Sequence, residues 1–195
     1  MTTKEAGLVE TVKDGIVGAA KGTGNIAKVT VDTVSSTLSV ALKGAGKVGA
    51  SATEAIGEVA GGAIRGAAQV GGHLGLAAEG TVIGVLRGTK HVGNEAMDTL
   101  GHTAGAVIRY TAAVGGNLEH AATGVVKGAV HSAKGIGVSA EDAASAAAHG
   151  ALKGAGKVGS TAVKTVRHAV TQTISGVKVV LTAPFKGGER KLSKS

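Results

Sequence analysis

The sequence contains no cysteine and no tryptophan, and it has a single tyrosine (Tyr110), a single phenylalanine (Phe185) and a single proline (Pro184). Without cysteine there are no disulfides and no thiolate metal sites, so nothing in the composition marks an oxidising compartment. Without aromatics, the side chains that bury roughly 150–250 Å² each in ordinary cores are missing, and apolar surface has to come from Val, Ile, Leu and Ala. Long apolar runs are missing as well. The longest uncharged stretch, Gly66 to Ala78, is too short and too glycine-rich for the roughly 20 apolar residues of a membrane-spanning helix. The opening residues Met1 to Ala6 lead into no compact apolar segment with a cleavage site, so no secretory signal is expected. The expected location is cytoplasmic or peripheral to a membrane.

Acidic residues are scarce only at one end. Residues 1–150 hold twelve Lys/Arg and twelve Asp/Glu, whereas 151–195 hold nine basic residues and only Glu189, so the net charge of +8 lies in the last quarter. A basic end favours anionic partners, lipid headgroups among them. The expected surface contacts are Lys153, Lys157, Lys164, Arg167, Lys178, Lys186, Arg190 and Lys191.

What the chain has in abundance is repetition. Ala41-Leu42-Lys43-Gly44-Ala45-Gly46-Lys47-Val48-Gly49 recurs identically at 151–159, an offset of ten elevens. Filling in that frame gives sixteen eleven-residue blocks over residues 8–183, alternating in type so that the longer unit is 22 residues. Eleven residues make three turns at about 3.67 residues per turn, close to the α-helical value, so one face stays aligned. Position eight of the block holds Ile26, Val48, Val59, Val70, Val92, Val114, Val125, Ile136, Val158 and Val180. Position five holds Val12, Val34, Ile56, Leu100, Val166 and Val177. With positions one, two and nine these predict an apolar stripe that faces a lipid or partner surface, while positions three, six, seven and ten face away. The fold is expected to be all-α: a lead of residues 1–7, helical repeats over 8–183, and a flexible basic tail over 184–195 after Pro184 ends the pattern.

Position three alternates in sign: Glu10, Lys21, Asp32, Lys43, Glu54, Arg65, then Leu76, Arg87, Asp98, Arg109. Members one block apart lie about 16 Å apart along a helix, beyond the Debye length of about 8 Å. The alternation therefore does little within one helix, and two readings stay open: it acts between helices, or these are solvated charges that keep a polar face soluble. A neighbour staggered by one block sets acid against base, and a parallel neighbour in register sets like against like.

Glycine, at 34 residues, opposes helix by about 0.8–1.0 kcal/mol at each interior position relative to Ala. Two sources of compensation are open: adsorption of the stripe on lipid, and close helix packing through small residues four apart. The glycines expected to pack are Gly62 and Gly66, Gly80, Gly84 and Gly88, Gly124 and Gly128, Gly150 and Gly154. In a third reading, pairs such as Gly61-Gly62, Gly71-Gly72 and Gly115-Gly116 break the chain into short helical hairpins.

No catalytic, cofactor or metal site stands out. His91 and His102, like His120 and His131, are eleven apart, a rise of about 16 Å that no single zinc spans with Zn–N bonds of about 2.0–2.1 Å. All seven histidines fall on or beside the polar face, where protonation below about pH 6 adds positive charge. Glu141-Asp142 forms one charged helix edge, and Gly44-Ala45-Gly46 lacks the Gly-Lys-Ser/Thr ending of a phosphate loop. A basic end without aromatic platforms supports only weak, salt-dependent contact with nucleic acid, so nucleic acid is not an expected partner, nor is a small-molecule substrate.

The strings Val12-Lys13-Asp14-Gly15-Ile16-Val17-Gly18 and Val126-Lys127-Gly128-Ala129-Val130-His131-Ser132-Ala133-Lys134-Gly135 resemble the lysine- and glycine-bearing eleven-residue repeats of synucleins, and more loosely those of perilipins. The resemblance implies a helix formed on lipid rather than an enzyme. This chain departs from that pattern, because synuclein-type lysines sit near the polar–apolar boundary whereas position three lies opposite the stripe. The departure favours assembly of helices on one another. The expected function is thus non-enzymatic: association with an anionic lipid or apolar surface, with self-association through glycine faces into a homo-oligomer. The alternatives are a soluble self-assembling scaffold or filament subunit and, third, a stress protectant that orders on binding, against which a mean hydropathy of +0.24 counts.

Overall fold

A computed structural model of the chain describes residues 3–23, 25–45, 50–90, 93–179 and 181. The fold is all-α, a helical bundle with one small hairpin. Its helices are α1 (Thr3–Thr23), α2 (Ile26–Ala45), α3 (Ala50–Gln69), α4 (Leu74–Thr89), α5 (Gly93–Ala113), α6 (Leu118–Ser132), α7 (Ala140–Gly156) and α8 (Ser160–Val170). A 3-10 turn (Ala133–Ile136) extends α6, and β1 (Thr173–Ile174) pairs antiparallel with β2 (Val177–Lys178). No described helix is long and apolar enough to cross a membrane.

Burial along the helices follows the side-chain pattern. Position-five residues Val12, Val34, Ile56, Leu100 and Val166 are buried, as are the alanines at 67, 78, 122, 144 and 155 that hold the same position elsewhere. Position three, from Glu10 through Arg65 and Arg87 to Lys164, is exposed wherever described, except that Arg109 is half-buried. Three threonines drawn into the core satisfy their hydroxyls locally: Thr30, Thr81 and Thr103 donate to the carbonyls four residues back at 2.7, 2.7 and 2.8 Å, the usual way a helix hides a hydroxyl, whereas the buried Thr111 Oγ1 has no hydrogen-bond partner.

Four of the described helical segments end where a position-eight residue is followed by glycine. Gly71 and Gly115 adopt left-handed φ of +66° and +68°. Paired bonds close each end: Gly72 N to Ala67 O (2.8 Å) with Gly71 N to Ala68 O (3.0 Å), and Gly116 N to Thr111 O (2.8 Å) with Gly115 N to Ala112 O (3.0 Å). This is the Schellman arrangement, which needs a residue without a Cβ penalty at the left-handed position. Ile136-Gly137 and Val158-Gly159 end the next two segments, with φ of 72° and 148°. The 22-residue unit is thus one helix plus one connection. The two glycine pairs at 71-72 and 115-116 do break the chain, whereas Gly61-Gly62 lies inside α3.

Each helix packs most extensively on the helix two places along the chain, and less on its sequence neighbour. Odd-numbered helices therefore form one layer and even-numbered helices another. Within a layer the helices run parallel, since Gly62 and Gly66 of α3 meet Val9 and Lys13 of α1 in the same order, and Gly80, Gly84 and Gly88 of α4 meet Ala27, Val31 and Ser35 of α2.

Among the described residues the last helix ends at Val170, and 173–178, which the repeat frame assigns to helix, form a hairpin instead. Ser175 and Gly176 both have positive φ, 50° and 79°, and link Ile174 to Val177 as a two-residue loop. That is the backbone of a type I′ hairpin turn, and Ile174, Val177 and Val179 are buried beneath it.

Helix starts are fixed by side chains where the sequence supplies them. Asn117 Oδ1 accepts from His120 N at 2.9 Å and Ser139 Oγ from Asp142 N at 3.0 Å. Asn117→Ala should therefore lower the unfolding free energy by about 1 kcal/mol. Asn117→Asp should retain the cap, and urea unfolding of the two variants measures the difference.

Candidate interaction surfaces

The glycine residues set the spacing within each layer. A methyl group on Gly124 would lie 2.0 Å from the Gly75 carbonyl oxygen, and one on Gly150 would lie 2.2 Å from that of Gly101. Gly62, Gly66, Gly80, Gly84, Gly88, Gly128 and Gly154 stand at 2.5–3.0 Å from backbone oxygens of the neighbouring helix by the same measure. All nine are buried. Between α3 and α5 the contact is different: Gly61 faces the Tyr110 ring, over which the Arg65 guanidinium sits 5.3 Å from the centroid.

The valine-bearing stripe is not a single outward face. Ile26, Val59, Val125 and Ile136 are buried in the core of this same chain, and Val70 is half-buried. Val114 and Val158 are 36% and 44% exposed. Position eight therefore does not form one continuous surface: of its members at or beside the connections, Ile26 and Ile136 turn into the core whereas Val114 and Val158 stay exposed. Val48, Val92 and Val180 lie outside the described residues.

Charge is divided by layer. The odd helices carry the acids Glu5, Glu10, Asp14, Glu54, Glu58, Glu95, Asp98, Glu141 and Asp142, against six basic residues. The even helices carry only Asp32, Glu79 and Glu119, against Lys28, Lys43, Arg87, Lys127, Lys164 and Arg167. Lys90 directly follows α4, Lys134 lies in the 3-10 turn after α6 and Lys178 in β2, eight residues past α8; all three are exposed. The alternation at position three does not itself cause this, since it puts an acid and a base on the same helix, as with Glu54 and Arg65 on α3; the excess comes from the other positions, such as Glu58, Glu95 and Glu141 on odd helices and Lys28, Lys127 and Arg167 on even ones. The odd layer holds parallel neighbours that set like against like, with Glu54, Asp98 and Asp142 recurring every 44 residues.

The expected anionic-surface residues do not form one patch. Lys164, Arg167 and Lys178 are exposed on α8 and the hairpin behind it, whereas Lys153 is on α7 in the opposite layer and Lys157 is in the connection between them. Lys186, Arg190 and Lys191 lie outside the described residues, as does the whole tail from 184. Arg87, Lys90, Lys127 and Lys134 were not among the expected contacts. Summing charge over alternate 22-residue units, rather than along the chain, is the signal that finds them.

Histidines cluster at the even layer. His73 and His120, at the starts of α4 and α6, stack with ring centroids 5.0 Å apart. His131 Nδ1 lies 2.9 Å from Glu79 Oε1, and His168 sits on α8. On α5 and α7, His102 and His149 bond the carbonyls of Asp98 and Ser145, each at 2.9 Å. His91 is outside the described residues. No three ligand-type side chains converge among the described residues. On α1, Lys13 pairs with Glu10 and also approaches Asp14; its ammonium is held above the usual lysine pKa, chiefly by the Glu10 hydrogen bond.

One concavity lies on the basic face. It occupies about 440 Å³ between the last turns of α4 and the end of α6. Gly124 and Gly128 bring the two helices together further back. Beyond them the chain leaves α6 in the 3-10 turn, and Ser132, Gly135 and Ile136 line the concavity from that side.

The chain matches no protein-family model, no curated protein and no solved structure.

Proposed function

We propose that this protein is a non-enzymatic interaction protein that lies on anionic lipid surfaces as a folded array, with the outer face of the even layer toward the lipid. The observation that carries this reading is the segregation of charge by layer. The same face exposes Leu76, 44% accessible at a position that is charged or histidine in its three even-layer counterparts, and an apolar side chain among cations suits a membrane interface. In this reading the eleven-residue unit and its glycines build the array, and the outer faces do the binding.

Lys127→Glu/Lys164→Glu/Arg167→Glu should weaken adsorption to vesicles containing phosphatidylglycerol by two orders of magnitude or more, since each basic residue near such a surface contributes about 1 kcal/mol. Arg65→Glu/Arg109→Glu, on the odd layer, should change it by less than about threefold, because those sites face away beyond a Debye length of about 8 Å. Co-sedimentation at low salt measures both. Equal losses in the two variants, or no adsorption of the parent chain, would remove the reading.

A soluble scaffold of associating copies is the second reading. Gly18, the counterpart on α1 of the packed Gly62, meets open space, and Val40 on α2 is 71% exposed. Sedimentation as a large species in buffer, without vesicle binding, favours that reading instead.

A further inference from the structure

We infer that the groove between α4 and α6 is a binding site for one anionic amphiphile, a molecule with a carboxylate or phosphate head and an alkyl chain. The inference rests on the lipid-surface reading for its setting and adds a stoichiometric site to it. Three cationic or titratable side chains, Arg87, Lys90 and His131, stand at the groove, while Ile83, Leu86 and Ile136 supply apolar lining. Leu86 and Ile136 are buried and Ile83 half-buried, so the apolar wall is built into the fold and is continuous with the core. The volume of about 440 Å³ falls in the range of roughly 300–1,000 Å³ in which small-molecule sites are found.

The cations also have a structural reason to be present, since Arg87 and Lys90 stand at the C-terminal end of α4, whose dipole favours positive charge. Part of that end is already satisfied: the Leu86 carbonyl accepts from Lys90 N at 3.1 Å and from Thr89 Oγ1 at 3.4 Å. Lys90 holds a left-handed φ of 57°, a conformation that favours glycine. A lysine retained there keeps a charge beside the groove that a glycine would not. The acid in this neighbourhood, Glu79, is paired with His131 at 2.9 Å, which offsets its charge toward an incoming anion when the imidazole is protonated. A head group placed against Arg87 and Lys90 gains charge-assisted bonds, and its chain covers the part of the apolar wall that is still accessible, chiefly Ile83.

Gly135 offers the decisive variant. It lines the groove, and a Cβ built on it meets nothing within 4 Å, so Gly135→Phe should be accepted there without a backbone clash, obstruct the groove with its ring and leave every charge in place. Isothermal titration of the whole chain with octyl phosphate and with octanoate, both below micelle formation and without vesicles, should give saturable one-to-one binding. Inorganic phosphate and octanol should each bind at least about tenfold more weakly, because each makes only half of the contacts. Arg87→Glu/Lys90→Glu and Gly135→Phe should each lose at least about tenfold in affinity for octyl phosphate, with circular dichroism unchanged.

Equal binding to Gly135→Phe and the parent, or no saturable binding of either amphiphile, would overturn the site. Vesicle adsorption tested alongside separates this outcome from that of the broader reading. Gly135→Phe should still adsorb, since the basic face is intact, and a chain that binds octyl phosphate but not vesicles keeps the groove while losing the surface reading. A preference for octyl phosphate over octanoate assigns a phospholipid-type head, and the reverse assigns a fatty acid.

Discussion

Gly124→Ala is expected to destabilise the chain by about 2 kcal/mol, although alanine is the better helix former. The two effects oppose each other and their sizes decide the sign. Alanine in a helix interior gains about 0.8–1.0 kcal/mol over glycine. Against that, the new methyl would stand 2.0 Å from the Gly75 carbonyl oxygen, a backbone atom that cannot rotate away, and overpacking of this kind costs typically 1–3 kcal/mol and sometimes more. Moving α6 off α4 would also open the contact of Gly128 with Glu79 and Val82. Gly150→Ala, at 2.2 Å from Gly101 O, should behave alike between α7 and α5. Gly57→Ala supplies the opposite outcome: it lies in α3 with nothing within 4 Å of an added Cβ, so only the propensity gain remains and the variant should be more stable by up to about 1 kcal/mol. Urea unfolding followed by circular dichroism gives all three. Stabilisation by Gly124→Ala would mean that the helices are not in backbone contact there.

Much of the architecture is legible in the frame. The side-chain period predicts helix, and positions three and five sort into exposed and buried residues, because an eleven-residue period keeps each azimuth fixed for many turns. The chain reversals are harder to read. Val59 and Val125 share position eight with Val70 and Val114, yet the first pair is buried mid-helix and the second lies at helix ends. The distinguishing residue is the next one: Ala60 and Val126 continue the helix, whereas Gly71 and Gly115 take left-handed φ and stop it. Gly61-Gly62 looks like an equally good breaker in sequence. It continues as helix because Gly62 faces the backbone of α1 at Val9, a tertiary contact that no local rule reports.

The groove was out of reach for a related reason. Ile83, Arg87, His131 and Ile136 come together only because α4 and α6 run parallel and the chain then leaves α6 in the 3-10 turn, and neither the layer order nor that turn after Ser132 is encoded in a period. The hairpin at residues 173–178 had a local signal in Ser175-Gly176 between β-branched residues, but the repeat frame runs through it and favours helix.

Leu100→Ala carries the other large effect, about 3–5 kcal/mol. Leucine is replaced at a fully buried position in a core whose largest wholly buried side chains are Ile16, Leu38, Ile64, Leu100 and Ile108. The cost of such a truncation depends on whether the surroundings can close the cavity. Here α5 is already in backbone contact with α7 through Gly101 and Gly105, so it has no room to settle inward, and the upper half of the usual range applies. Val40→Ala, at a side chain 71% exposed, should stay within about 0.5 kcal/mol. The same variant separates two ways of meeting a lipid surface. If the folded array adsorbs through its basic even layer, Leu100→Ala should lose vesicle binding at the urea concentration where it unfolds, earlier than the parent. If the helices instead open to lay their valine-bearing sides on lipid, a weaker core lowers the cost of opening, and Leu100→Ala should bind vesicles more tightly than the parent.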